Sequence, residues 1–296
     1  MSIVERAIKR LQKSRPEGPP KQATAVRPAR SVPREPLLQL PASPKTREPK
    51  ESIETPYELL RSGGMMSAPE HEHALADQFR RVKWPVLESA IGKGPSGKPT
   101  NVVMVSSSVS GEGKTFCSFN LALSIARERD VSVLLVDTDV AKRHATRVLR
   151  TEERTGLTEV LAGVIADPED VVVRTSIPGL TFMPAGRRTD AVPELFASQR
   201  MSEVVQALGS ADRGRIVLFD SSPLLATNES QVLCRVVDQV VFIVRAEVTT
   251  QPMVIEAISL LDKSKEIRCL LNQARSSDLT EYYYGYGSYY PNEPQK

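Results

Sequence analysis

From Asn101 onward, short apolar runs alternate with stretches of helical periodicity. The runs predict strands over Asn101–Ser107, Val131–Asp137, Leu180–Pro184, Arg215–Asp220, Gln239–Val244 and Arg268–Asn272. Several are continuously apolar rather than alternating, the pattern of strands buried on both faces of a parallel sheet. Helical spacing fills the gaps over Thr115–Glu128, Thr158–Ala162, Pro193–Leu208, Glu229–Val236 and Pro252–Ser264. Ahead of them, Leu75, Phe79, Val82, Val86, Leu87 and Ile91 mark a helix over 70–91, expected to break or kink at Pro85. Alternating β and α units predict an α/β fold: a mostly parallel twisted sheet with helices on both faces. Residues 3–11 add a short amphipathic helix. It reads equally as a fraying terminus or as a docking helix for a partner or an anionic membrane surface.

Composition divides the chain of 296 residues. Residues 1–56 hold ten of the 22 prolines, no aromatic residue, 12 Lys and Arg and 6 Asp and Glu, a net of +6. The whole chain carries +3, which leaves −3 for residues 57–296. A stretch so poor in apolar residues cannot repay its ordering entropy, so a disordered tether is expected up to Pro56. The basic character belongs to that arm, so no nucleic-acid partner is expected for the fold. The expected division is 1–56 as helix plus tether, 57–100 as a helical lead-in, 101–272 as the catalytic domain, and 273–296 as a flexible tail. There is no apolar run long enough for a transmembrane helix and no signal-peptide pattern, so a cytoplasmic protein is expected. Cys117, Cys234 and Cys269 form no CxxC pair and read as buried reduced thiols. His71-Glu72-His73 lacks further ligands for zinc and reads as a solvated turn.

The candidate chemistry begins at Ser106-Ser-Ser-Val-Ser110-Gly111-Glu112-Gly113-Lys114-Thr115-Phe116, between a strand and a helix. It ends as G-x-x-x-x-G-K-[ST] does, with Ser108 in place of the first glycine. Such a loop turns backbone N–H groups around phosphate oxygens, and the following helix points its positive end at the anion. Lys114 is placed to reach the β and γ phosphates, and the Thr115 hydroxyl to ligate Mg²⁺. Two further strands end in carboxylates, Asp137 with Asp139, and Asp220. Ligands bind at that edge of open α/β sheets. One carboxylate there can hold metal while another accepts a proton.

These residues are recognisable. Ser-Gly-Glu-Gly-Lys-Thr, Val133-Leu-Leu-Val-Asp137-Thr-Asp139-Val and Ile216-Val-Leu-Phe-Asp220-Ser-Ser-Pro resemble the Walker A, A′ and B motifs of bacterial tyrosine kinases. Gly156-Leu-Thr-Glu-Val-Leu-Ala-Gly, Glu194-Leu-Phe-Ala-Ser and Pro223-Leu-Leu-Ala-Thr-Asn-Glu-Ser resemble, more narrowly, the autokinases of exosortase-associated exopolysaccharide loci. The resemblance implies a P-loop ATPase fold of the MinD-like class and ATP with Mg²⁺ at the site. It implies a partner in an inner-membrane polysaccharide co-polymerase, a cognate phosphotyrosine phosphatase and self-association into a ring. In it Lys114 and Thr115 hold phosphates and metal, Asp139 and Asp220 assist the metal, and Asp137 is the base. Asn272 stands where related ATPases touch adenine. Arg187 and Arg188 either approach phosphates or stay solvated. The family's helical Glu-x-x-Arg-x-x-Arg is matched here by Asp77-Gln-Phe-Arg80-Arg-Val-Lys83, with two of its three residue types changed.

The tail gives the resemblance its substrate. Tyr282, Tyr283, Tyr284, Tyr286, Tyr289 and Tyr290 are six of the chain's seven tyrosines. They are the expected phosphoacceptors. Alternatives for the tail are a low-complexity end or a stacking surface. Rival functions are a ParA/MinD-like ATPase, a metal-cluster scaffold ATPase and a non-catalytic, nucleotide-sensing regulator. Val109 occupies the position of the signature lysine of the first, and the missing CxxC argues against the second.

Overall fold

A computed structural model describes residues 51–91, 100–212 and 214–274. The expected helix over 3–11, most of the tether and the six tail tyrosines lie outside the described residues.

Eight strands form one sheet: β1 (Glu51–Ile53), β2 (Val102–Ser107), β3 (Ser132–Asp137), β4 (Val173–Thr175), β5 (Leu180–Met183), β6 (Arg215–Asp220), β7 (Gln239–Arg245) and β8 (Glu266–Asn272). Their order is β1-β4-β5-β3-β6-β2-β7-β8. Every pairing is parallel except β4 with β5. The helices are α1 (Tyr57–Ser62), α2 (Pro69–Ile91), α3 (Lys114–Ala126), α4 (His144–Val148), α5 (Leu157–Leu161), α6 (Val192–Ala197), α7 (Gln199–Ser210), α8 (Asn228–Val236) and α9 (Gln251–Ser259).

The period of two along each strand builds two cores. Val102 and Met104 of β2 join the buried cluster that includes Phe196, Val204, Leu233 and Ala257, beneath α6 to α9. Val103 and Val105 point the other way, into the cluster with Phe79, Val86, Phe119 and Ile125 of α2 and α3. Central strands thus have no solvent face, which is why they read as continuous apolar runs. Full burial of each Val, Leu or Phe contributes about 1.5–3 kcal/mol.

Several boundaries differ from expectation for local reasons. Residues 51–53, expected in the tether, form β1, and Thr55 bonds Ser176 through its amide and hydroxyl. The helix α2 is continuous through Pro85. The missing Pro85 amide costs one backbone bond, while Phe79, Val86, Leu87 and Ala90 stay buried on the sheet. The single helix expected over Pro193–Leu208 is two, because Ser198 is extended and its hydroxyl bonds the Leu195 carbonyl at 2.7 Å. The last helix stops at Ser259, and Asp262 caps the turn that follows by accepting from Ser264 N at 2.9 Å. His71 and His73 lie in the first turns of α2, not in a separate turn.

Charged positions on α2 also divide. Asp77 and Arg80 pair at 2.9 Å on its outer face. Lys83 turns inward: it is 5 % exposed, donates to the Ser124 carbonyl at 3.0 Å and pairs with Glu128. It fastens α2 to the end of α3 and is not part of a solvated charged face. Cys117 and Cys234 are buried as expected, whereas Cys269 is exposed because β8 is an edge strand. No helix among the described residues is long and apolar enough to cross a membrane.

Candidate functional site

The carboxyl ends of β2, β3 and β6 converge at one place. Asp137 and Asp220 end neighbouring parallel strands and are Cα partners in register. The loop from β2 to α3 lies beside them. Gly111 and Gly113 both have φ +88°, so this turn favours glycine at both positions. A Cβ on Gly113 would lie 2.2 Å from the Asn272 amide nitrogen, while one on Gly111 would meet nothing. The loop is therefore open on the Gly111 side and held on the Gly113 side.

Glu112 is what holds it. Its side chain is buried, and its carboxylate accepts from Val109 N at 2.6 Å and from the Thr249 hydroxyl at 2.5 Å. Its own carbonyl accepts from Asn272 Nδ2 at 2.8 Å. Asn272 thus braces the loop, a role that its expected adenine contact did not foresee.

Lys114 is buried, donating to Ser107 Oγ at 3.2 Å. Burial pulls its pKa down, and the charges of Asp220 and Asp139 oppose that. Ser107, Ser108 and Ser110 line the same loop; the Ser108 hydroxyl is buried without a partner, and Lys142 bonds Ser110. The first turn of α3 leaves its amide donors unused by the helix. Phe116 reaches the site through its backbone alone, for its ring packs edge-on against Phe79 with centroids 6.4 Å apart.

The three aspartates have different surroundings. Asp220 is 1 % exposed and accepts from Ser118 Oγ at 3.0 Å and from Thr115. Burial pushes its pKa to about 6, against the pull of Thr115, Lys114 and Ser118. Asp137 is 1 % exposed; Oδ2 accepts from the Thr146 amide at 2.9 Å and hydroxyl at 2.7 Å, and Oδ1 from Asp139 N at 3.1 Å. Burial, then the Asp220 charge, raises its pKa to about 7. Asp139 is half-buried and accepts from Lys142 N at 3.1 Å.

Thr115, Asp139 and Asp220 offer hard oxygen donors, the set that suits Mg²⁺ with phosphate oxygens and water completing its shell. Among the described residues no group of three His, Cys, Asp or Glu side chains forms a metal cage. The partnerless Ser108 hydroxyl and the open side of the loop agree with an anion there.

Most of the predicted residues gather here, while Arg187 and Arg188 are exposed. The Arg187 amide bonds Glu159 at 3.0 Å and the Arg188 guanidinium the Ala141 carbonyl at 2.7 Å. Sequence reasoning missed Thr146, Thr249 and Ser118. Ser118 had a signal, since it lies one helical turn after Thr115. Thr249 had none, as it arrives from the loop after β7.

No protein-family profile matches the chain. It is 31% identical over 214 residues to tyrosine-protein kinase YwqD of Bacillus subtilis, covering 71% of this chain and 86% of that one. It is 32% identical over 205 residues to a protein named tyrosine-protein kinase EpsB of Ralstonia nicotianae. That match covers 69% of this chain and 26% of EpsB, so the chain spans about a quarter of that relative. The kinase domain of VpsO superposes with a TM-score of 0.58 at 27% identity, over 70% of this chain and all of that one. MinD in the MinC:MinD complex of Aquifex aeolicus shares the fold, with a TM-score of 0.51 at 20% identity over 62% of this chain and 72% of that one.

Proposed function

The chain belongs to the bacterial tyrosine kinases, and on that premise we propose that it transfers the γ-phosphoryl group of ATP to tyrosine hydroxyls. The observation that carries this reading is the rung of Asp137 and Asp220 beside the Lys114 loop. It sets a carboxylate with a pKa of about 7 next to a phosphate cradle, and a general base works best near the operating pH.

Each part has a role in this reading. The loop amides from Ser110 to Phe116 and the Lys114 ammonium hold the phosphates and neutralise charge that develops on them. Glu112, braced by Thr249 and Asn272, fixes the loop so that little reorganisation is needed during transfer. A Mg²⁺ held by Thr115, Asp139 and Asp220 would offset phosphate charge. Asp137 accepts the phenolic proton on Oδ1, whose second lone pair is free of the Asp139 amide. The phenolic O–H bond breaks, an O–P bond forms, and the bond from the γ phosphorus to the bridging oxygen breaks to release ADP. Thr146 keeps Asp137 oriented.

The acceptors in this proposal are Tyr282, Tyr283, Tyr284, Tyr286, Tyr289 and Tyr290, modified on a neighbouring copy. Support comes from their clustering about ten residues past Asn272, the end of β8 that bonds the phosphate loop. The resemblance to exosortase-associated autokinases supports a place in exopolysaccharide synthesis. It also supports activation by an inner-membrane co-polymerase at the cytoplasmic face, and reversal by a phosphotyrosine phosphatase. Mixing Lys114→Met chains, which keep the tail, with chains whose six tail tyrosines are Phe tests transfer between copies. Phosphate on the Lys114→Met chain is expected. ADP release with no phosphate on either chain would favour a MinD-like ATPase.

A further inference from the structure

The phosphate loop brings no positive side chain of its own before Lys114. From Ser106 to Gly113 its one ionisable side chain is Glu112, an acid, and Val109 stands where MinD-like ATPases carry a lysine. Lys114 lies among the charges of Asp220, Asp139 and Glu112. A polyphosphate entering there adds more charge of the same sign. A second cation reaches the loop from elsewhere. Lys142, on the turn after β3, bonds the Ser110 hydroxyl. Its charge also acts on Lys114, whose pKa burial lowers first and Lys142 lowers further.

The turn that carries Lys142 is pinned from several directions. Asp139 closes it: its carboxylate accepts from the Lys142 amide at 3.1 Å and its carbonyl from the Arg143 amide at 2.6 Å. Arg143 takes the left-handed conformation, with φ +48°, and donates to the Gly186 carbonyl at 3.0 Å. Arg188 donates to the Ala141 carbonyl at 2.7 Å. One short turn thus carries a carboxylate at one end and an ammonium at the other, both within electrostatic reach of Lys114. Lys142 itself is exposed. A long exposed side chain held by one serine hydroxyl gains little stability for the entropy it loses, so the stability of the fold does not account for the arrangement.

We propose that Lys142 is a phosphate-binding residue, which passes from the Ser110 hydroxyl to the terminal phosphate of a bound nucleoside triphosphate. Its place on the turn indicates which phosphate. Asp137, the base in the proposed function, lies two residues before Asp139, so the transferred phosphoryl group lies on this side of the loop. An ammonium there offsets charge that develops on that group during transfer. The inference rests on the nucleotide part of the proposed function and not on tyrosine as the acceptor.

Calorimetry on the full chain with Mg²⁺ tests it, using ADP and the non-hydrolysable β,γ-imido analogue of ATP. The proteins are wild type, Lys142→Ala and Arg147→Ala, the last removing an exposed cation of α4 as a control for net charge. Lys142→Ala should bind the triphosphate analogue about tenfold or more weakly, the loss of one hydrogen bond between charged groups. It should bind ADP within about threefold of wild type, and Arg147→Ala should bind both within about twofold. Unchanged affinity of Lys142→Ala for the analogue overturns the proposal. So does an equal loss of both nucleotides, which would leave Lys142 the task of holding the loop, or an equal loss in Arg147→Ala, which would reduce the effect to net charge. A wild type that binds neither nucleotide overturns the proposed function as well, whereas binding by wild type with no change in Lys142→Ala overturns this inference alone.

Discussion

Asp137 and Asp220 occupy one rung of the sheet, as Cα partners at the ends of β3 and β6, and each is 1 % exposed. Burial raises both pKa values, to about 7 for Asp137, where the Asp220 charge adds to it, and to about 6 for Asp220, where the Asp139 charge does. Thr146 and Ser118 lessen the cost by donating to them. The arrangement is electrostatically strained without a cation and relieved by one.

Stability should show that strain. Both native pKa values exceed the ordinary 3.8, so the folded protein binds more protons than the unfolded chain between about pH 4 and 7. The rung's contribution is therefore best at the acid end and is lost as pH rises through that window. In urea unfolding without nucleotide, Asp137→Asn should shrink the drop in stability between pH 5.5 and 8 by about 1–2 kcal/mol. An identical drop in variant and wild type would contradict the assignment.

The same substitution should separate binding from chemistry. Asp137→Asn is expected to bind ATP within about threefold of wild type and to lose transfer by about 100-fold or more. The wild-type single-turnover rate should rise with pH as Asp137 deprotonates, with a midpoint below the metal-free value of about 7 because a bound Mg²⁺ offsets the Asp220 charge. Calorimetry and a quenched time course check the two halves.

Thr249 offers a test of the loop brace. Thr249→Val removes the hydroxyl that Glu112 accepts from. The KM for ATP should rise roughly 3- to 10-fold with kcat little changed, as for a hydrogen bond that positions a binding group. Thr249→Ser should restore it. Steady-state kinetics on the three proteins decide this.

Lys83 joins α2 to α3 from a buried position. Lys83→Ala should destabilise the fold by about 1–3 kcal/mol, leaving the Ser124 carbonyl without its donor. Chemical denaturation measures this directly, with Arg80→Ala as the exposed comparison.

Of the six longer strands, the central β2, β3, β6 and β7 were legible because parallel strands buried on both faces are continuous apolar runs. The strands β1 and β4 were not, since three residues carry no periodicity and their pairing is set by distant partners. The phosphate loop and the strand-end aspartates declared themselves by residue type and spacing. Their environments did not: that Asp137 is buried and Asp139 half-buried depends on Thr146 folding back over the strand end. The burial of Lys83 was not legible, because helical spacing alone does not say which neighbour lies across a face. Asn272 was placed near the nucleotide by its position in the chain, but its bond to the Glu112 carbonyl required the tertiary structure.

Intact mass after incubation with Mg²⁺ and ATP tests the central claim most directly. Wild-type chain should gain phosphate in successive steps of about 80 Da, up to one per tail tyrosine, while Lys114→Met alone gains none. Unchanged wild-type mass with steady ADP release would contradict the account.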